Sequence, residues 1–532
     1  MSIIIEGVDE LMFKKKCTWW ISAATIVIMV VLTGCQAVQG LDITQAIKND
    51  WAVKSAESQG TLQFELVPGD TSKLSADEKQ TLLALQNVKV AITNAKIQDA
   101  QHLSADGSIT YGKGTIPFKL ASEGTKLILS IEGAKKPLVF DLFDSTNMSV
   151  TKLLPDAIQS QLGPKLMETK SAIIGLILGN LPNPASLSVT SVSDKVNGET
   201  LALQQAHIEM NGSELASLLK KLLANVLADE AGLKELINQL YEALSPVIEE
   251  QIKGGSTDFT LRLLSNKQLA VGLVYPSIHD FLENMSASLD TVIKGDSSAD
   301  PTLFPAQDLW NSDTSLKANL YIDADKQIRK QTVELNVPLR HTTSGASALK
   351  ISYMSESWHI NKLVTAAAID TSSGVVNVGT DASSTYSLLN QLDKQSLFYK
   401  LLKEDLKVTK KEIHLKLKNS AQGATSDTPE PFINADNITV VPVRFISEKL
   451  GAEVGWNGAL QQVTIKDAAT GATIILTLDS KVAMVNGSPI QLESPAALYN
   501  GSTFVPIRFI TEQLGGEVSF DDLTRVVTIK RN

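Results

Sequence analysis

Several stretches of the chain alternate apolar and polar residues with a period of two. Leu62, Phe64 and Leu66 set the pattern, Val88, Val90 and Ile92 repeat it, and Ile116, Phe118 and Leu120 lead on to Leu127, Leu129 and Ile131. Such alternation predicts an antiparallel sheet with one buried face. Asp106-Gly107 reads as a turn within it. A helical stretch is predicted over about 152–181, closing on the apolar run 172–181 before Pro182. That run is far too short to cross a bilayer.

The pattern turns sheet-like again over 186–210, around the turn Asn197-Gly198. Two amphipathic helices follow. Leu215, Leu218, Leu219, Leu222, Leu223, Val226 and Leu227 keep i, i+3, i+4 spacing, as do Leu233, Leu236, Ile237, Leu240, Leu244 and Ile248. Gly254-Gly255 ends this block, and strands are predicted near 257–264, 315–322, 328–337 and 348–354. Sheet, helices and sheet in that order give an α+β class: central antiparallel sheets with amphipathic helices, then a small α+β repeat module. The leucine stripes most simply fill a solid core. The alternative is a curved sheet closed by helices around an apolar pocket; in that layout the region loosely resembles the half-barrel lipoprotein carriers, which would imply a lipid or other apolar ligand.

The C-terminal region is built on a repeat. Residues 441–466 and 505–530 align without gaps at an offset of 64, with 14 of 26 positions identical. Pro442 and Pro506 suit the first turn of a helix. Val443, Ile446 and Leu450, and likewise Ile507, Ile510 and Leu514, form buried stripes, and Gly451 and Gly515 fall where left-handed C-caps belong. Strands are predicted over 453–456, 463–466, 517–520 and 527–530, with a hairpin over 472–478 and 481–485 leading into an Asn486-Gly487 turn. The V-P-[VI]-R-F-I-x-E-x-L-G-[AG]-E-V core resembles the copper amine oxidase N-terminal-like, or stalk, domain of secreted Gram-positive proteins. The resemblance covers about 430–532 and implies an accessory module on an extracytoplasmic protein, separate from any oxidase chemistry. The module contains no histidine, so no copper site is expected in it.

Within each unit Arg444 and Glu448, then Arg508 and Glu512, recur at i, i+4. They form either helix-surface ion pairs worth a few tenths of a kcal/mol or a polar face for a wall polymer. Trp456 and Phe520 hold equivalent strand-end positions. Such positions belong more often to a core than to a platform for sugar rings.

At the other end, Lys14, Lys15 and Lys16 precede an uncharged, mostly apolar run, 18–32, and then Leu32-Thr33-Gly34-Cys35. These four residues resemble the lipobox of bacterial lipoproteins. The resemblance implies cleavage between Gly34 and Cys35, diacylglycerol on the Cys35 thiol, and an extracytoplasmic protein held at the membrane. Met12 opens a conventional signal peptide, so Met1 and Met12 both stand as candidate starts. The expected organisation is a signal peptide over 1–34, a tether over 35–49, a central region over 50–418, a linker over 419–431 and the repeat module over 432–532.

Composition narrows the function classes further. A net charge of −10 without a basic cluster argues against nucleic acid. Of the two cysteines, Cys17 lies in the signal segment and Cys35 would be acylated, leaving no disulfide. The six histidines include no i, i+4 or HxH pair, so no metal or cofactor is expected. Ser217-Leu-Leu-Lys220 matches S-x-x-K but sits on an apolar helix stripe and lacks its partner motifs. No catalytic residue is therefore nominated. The expected function is a non-catalytic binding or scaffolding lipoprotein whose partners are the membrane and a cell-wall polymer or another envelope protein. An apolar-ligand carrier and an envelope hydrolase are the alternatives.

Overall fold

The computed structural model describes residues 40–141, 169–254, 259–293, 306–340, 345–378, 388–417, 431–499, 501–521 and 525–531. The segment 1–34 with Gly34, together with Cys35, lies outside them, as do the first part of the 152–181 stretch and nearly all of 419–431. The described residues form two compact units, one within 40–132 and 139–373, the other within 133–138 and 374–531. The class is α+β, with several antiparallel sheets.

The larger unit is organised by one sheet. Its strands are β1 (Ala56–Pro68), β2 (Asn87–Ile97), β3 (His102–Tyr111), β4 (Gly114–Glu123), β5 (Lys126–Ile131), β6 (Leu138–Asp141), β7 (Ser188–Val196), β8 (Glu199–Asn211), β9 (Ser315–Ile322), β10 (Ile328–Pro338) and β11 (Ala346–Trp358). They run β6-β5-β4-β3-β2-β1-β11-β10-β9-β8-β7. The first predicted strand therefore lies in the middle, because β1 pairs with β2 on one side and with β11 on the other. The Asn197-Gly198 turn joins β7 to β8 with φ of 49° and 81°, the positive values that a two-residue hairpin turn requires.

Two sequence expectations fail in this unit. Asp106 and Gly107 are not a turn; both lie inside β3. A Cβ at Gly107 would stand 2.6 Å from the Ala91 carbonyl oxygen and 2.6 Å from Cζ of Phe118. The glycine is there because the Phe118 ring lies across the strand, next to the register shift between Ile92 and Asn94. The second failure is 257–264, predicted as a strand. Residues Phe259–Leu264 are helical, and Leu264 is buried with Leu244, Ile248 and Ala270 of neighbouring helices. Helix packing overrides a short period-two pattern here.

The helices of this unit include α1 (Ile43–Trp51), α2 (Ala76–Leu85), α3 (Lys170–Asn180), α4 (Gly212–Ala228), α5 (Glu230–Lys253), α6 (Phe259–Leu264) and α7 (Lys267–Ile293). Asn211 caps α4 through a reciprocal capping box with Glu214. The predicted stripe of α4 is used as expected: Leu215, Leu218, Leu222 and Val226 are buried with Ile208, Met210, Leu316, Leu320 and Val333 of the sheet. Ile43, Ala46 and Ile47 of α1 and Leu178 of α3 join the same core. Among the described residues no helix is long and apolar enough to cross a membrane.

The smaller unit holds a two-residue strand β12 (Val376–Asn377), then β13 (Lys411–Lys416), β14 (Phe432–Ile433), β15 (Thr439–Pro442), β16 (Glu453–Asn457), β17 (Gln462–Lys466), β18 (Thr473–Thr477), β19 (Val482–Val485), β20 (Ser488–Gln491), β21 (Ala497–Tyr499), β22 (Ser502–Pro506), β23 (Gly516–Asp521) and β24 (Val526–Arg531). Its repeat helices are α8 (Val443–Lys449) and α9 (Ile507–Gln513). Pro442 and Pro506 cap these helices from the ends of β15 and β22, one position before the first turn where the sequence places them. Gly451 and Gly515 take φ of 92° and 73°, as left-handed caps.

Strand register shows that the repeats are related by an approximate two-fold. Val440, Val441 and Pro442 pair with Pro506, Val505 and Phe504. Val441 thus faces its own equivalent, Val505, and the flanking pairs exchange under the repeat offset. The third strand of each repeat follows the same rule. Ile474 and Leu476 of β18 sit opposite Ile465 and Val463 of β17. Ile413 and Leu415 of β13 sit opposite Ile529 and Val527 of β24. The second repeat is therefore completed by a strand that precedes the first repeat in the chain.

Candidate functional site

The sheet of the larger unit presents one apolar face, and its coverage changes across the strands. Leu62 of β1 faces Val90 on one side and Tyr353 on the other, and Tyr353 faces Val333. One row along, Phe64 lies between Val88 and Ile351, and Ile351 faces Leu335. Directly paired residues share a face, so these rows form a continuous hydrocarbon surface. Toward β8–β10 it is buried under helices, with Ile208, Leu316, Ala318 and Val333 at 2% exposure or less. Toward β1–β3 the same face is only half-buried, at Leu62, Phe64, Val88, Val90, Ile92 and Ile109.

One carboxylate belongs to this environment. Asp50 continues the buried stripe of α1, one turn after Ala46 and Ile47. Burial raises its carboxyl from 3.8 to about 6. Burial also pushes the Tyr353 phenol up, and the charge of Asp50 adds to that rise. The residue as a whole is half-buried. The sequence reading missed Asp50 because a lone acid near the end of a short helix looks like a solvated one.

The repeated residues of the smaller unit are all at the surface. Arg444 Nη1 donates to Oε1 of Glu448 at 3.0 Å and to the Val454 carbonyl at 3.1 Å, which ties the end of α8 to β16. The equivalent Arg508 and Glu512 are both exposed and do not close that ion pair. Trp456 and Phe520 are 49% and 46% exposed, which corrects the expectation that they lie in the core. The reason is geometric. Trp456 faces buried Val463, and Phe520 faces buried Val527, so both rings start on the inward side of their hairpins. Each lies one position before the end of its strand. Each repeat thus offers an open aromatic ring.

Other chemistry resolves into ordinary contacts. Ser217 is exposed and Lys220 pairs with Asp290 of α7, so S-x-x-K does not assemble a nucleophile. His279, Asp280 and Glu283 bring ligand atoms within 4.8 Å of one another on α7. This mixed His/Glu i, i+4 pair escaped a search for histidine pairs. All three ligands come from one helix, one fewer than a closed tetrahedral site needs.

No curated protein matches the chain. Residues 408–529 match the family model Copper amine oxidase N-terminal domain, so the smaller unit carries that non-catalytic, stalk-like domain, with β13 inside the matched span.

Proposed function

We propose that this is a non-catalytic, lipid-anchored binding protein of the outer membrane face, whose larger unit takes an apolar ligand against the half-buried part of its sheet. The observation that supports this reading is the change in cover along a single apolar face. Nothing in the strand pattern changes between β10 and β1, yet burial does. A solid core has no reason to leave Leu62, Phe64 and Val90 partly open, whereas a ligand chain would complete their contacts at roughly 25 cal/mol for each Å² removed from water. Native mass spectrometry of protein purified from membranes under mild conditions tests it. A bound lipid-sized mass is expected, and protein that carries none and binds no added hydrocarbon contradicts it.

The C-terminal unit supports a complementary role in attachment. Its two open aromatic rings, each on a hairpin beside an Arg-bearing helix, suit the apolar faces of sugar rings in a wall polymer. Co-sedimentation with peptidoglycan should fall when Trp456 and Phe520 are both replaced by Ala. Unchanged sedimentation rejects this role.

Anchoring rests on Cys35. Diacylation supplies about 0.8 kcal/mol for each buried CH₂, and two chains hold a protein at a bilayer where one does not. Replacing Cys35 with Ala should release the protein from membrane fractions and abolish labelling by fatty acid.

A further inference from the structure

Resting on the anchoring reading, we infer that the outward side of α7 is a membrane-docking surface, seated among the headgroups of a zwitterionic lipid bilayer. Among the described residues of the larger unit, α7 gathers most of the large apolar side chains that stay open. Leu269, Leu273 and Phe281 are more than half exposed, and Met285 is 39% exposed. Leu83, Ile97 and Leu363 are the others, and they stand singly on separate segments.

The four α7 residues fall on one i+4 ridge, 269–273–277–281–285, about 24 Å long at 1.5 Å per residue. Ser277, its one polar member, donates its hydroxyl to the Leu273 carbonyl at 3.5 Å and so finds its partner within the helix. The other side of α7 is spent on the core, where Tyr275, Ile278 and Leu282 pack against the cluster that includes Leu41. A helix apolar on both sides is expected to be covered on both.

The tether points to the second cover. Leu41 comes six residues after Cys35 and is 7% exposed in that same core. Six residues reach at most about 21 Å, comparable with the radius of gyration of a domain this size. Diacylglycerol on Cys35 therefore holds a bilayer within one domain radius of the core on which α7 packs. An interfacial helix lies in the plane of such a surface, with its apolar side about 5–10 Å deep. Asp280 and Glu283 flank Phe281 and are exposed, so an anionic surface would repel this side where zwitterionic headgroups do not.

The test uses the full acylated chain in phosphatidylcholine vesicles. Cys17, in the signal segment, and Cys35 are the native cysteines, so one added thiol can be labelled selectively. Leu273→Cys and Phe281→Cys carry an environment-sensitive nitrobenzoxadiazole dye, and Leu83→Cys is the reference. Doxyl-labelled lipid is expected to quench the dyes at 273 and 281 at least twofold more strongly than the dye at 83, with emission shifted to the blue. Adding Leu269→Glu and Met285→Glu should return the 273 dye to its emission in water while the protein still floats with the vesicles. All five positions are exposed, so the core should be undisturbed; an unchanged circular dichroism spectrum checks this. Equal quenching at 273, 281 and 83, or a 273 dye that stays in lipid after both glutamates are added, overturns the docking surface and leaves anchoring standing. A chain that does not float with the vesicles overturns both.

Discussion

Asp467 and Arg531 occupy the same position in the two repeats, and they meet as a buried ion pair. Arg531 Nη2 lies 2.7 Å from Oδ2 of Asp467, with both side chains at 2% exposure or less. Asp467 directly follows β17 and Arg531 ends β24, and the pair marks where the approximate two-fold brings equivalent residues together. The two units share Val-Thr-Ile-Lys over 463–466 and 527–530, and become complementary one residue later.

Breaking this pair on one side leaves a buried, uncompensated charge. Asp467 also accepts hydrogen bonds from the Thr470 amide at 3.0 Å and the Thr470 hydroxyl at 2.5 Å, so its carboxylate is held in place. Arg531→Met is expected to cost the smaller unit about 3–5 kcal/mol in urea unfolding. Adding Asp467→Leu should recover much of that loss. Equal stability of the single variant and the parent would remove the pair from the account.

Completion of the second repeat by β13 makes a prediction about where the module begins. Ile413, Leu415 and Leu417 are buried in its core, each worth about 1.5–3 kcal/mol. A fragment spanning 408–532 should unfold cooperatively. One starting at 432 should not, because it loses those side chains and exposes an edge of β24. Matching calorimetric transitions for the two fragments would contradict this.

Ser447 and Thr511 are also equivalent, both fully buried, and neither hydroxyl finds a hydrogen-bond partner. Thr511→Val keeps the shape and removes the unpaired group. It should stabilise the unit by about 1 kcal/mol, read as a higher urea midpoint at unchanged slope.

Asp50 should make the larger unit less stable as pH rises. Its proton is held more tightly in the folded protein, at about 6, than at the ordinary value of 3.8. The folded state therefore binds more protons between these values, and stability falls as pH climbs through that window. Roughly 3 kcal/mol is the upper scale of the effect, at 1.36 kcal/mol for each unit. Asp50→Asn should raise the melting temperature at pH 7 and have little effect at pH 4. A variant that is less stable than the parent at pH 7 would show that the acid has a partner.

The helices α4 and α5 were legible because a 3.6-residue stripe is long and self-consistent. The repeat was legible because its two copies corroborate each other. Long-range pairing was not. Leu62 faces Tyr353 across some 290 residues, and no local pattern records that β1 lies between β2 and β11. Helix α7 was missed because its apolar residues show no clean face and Pro276 interrupts it. Leu269, Leu273 and Phe281 remain exposed along it. Trp456 and Phe520 were misjudged because a strand partner that is buried does not by itself cover the ring opposite it.

The central claim is that β1–β3 hold hydrocarbon, and photolabelling locates it directly. An alkyl diazirine of about twelve carbons, activated on the full chain, should label peptides containing Leu62, Phe64 and Val90, and excess dodecanol should suppress it. Labelling confined to other peptides, or none that competitor removes, would contradict the account.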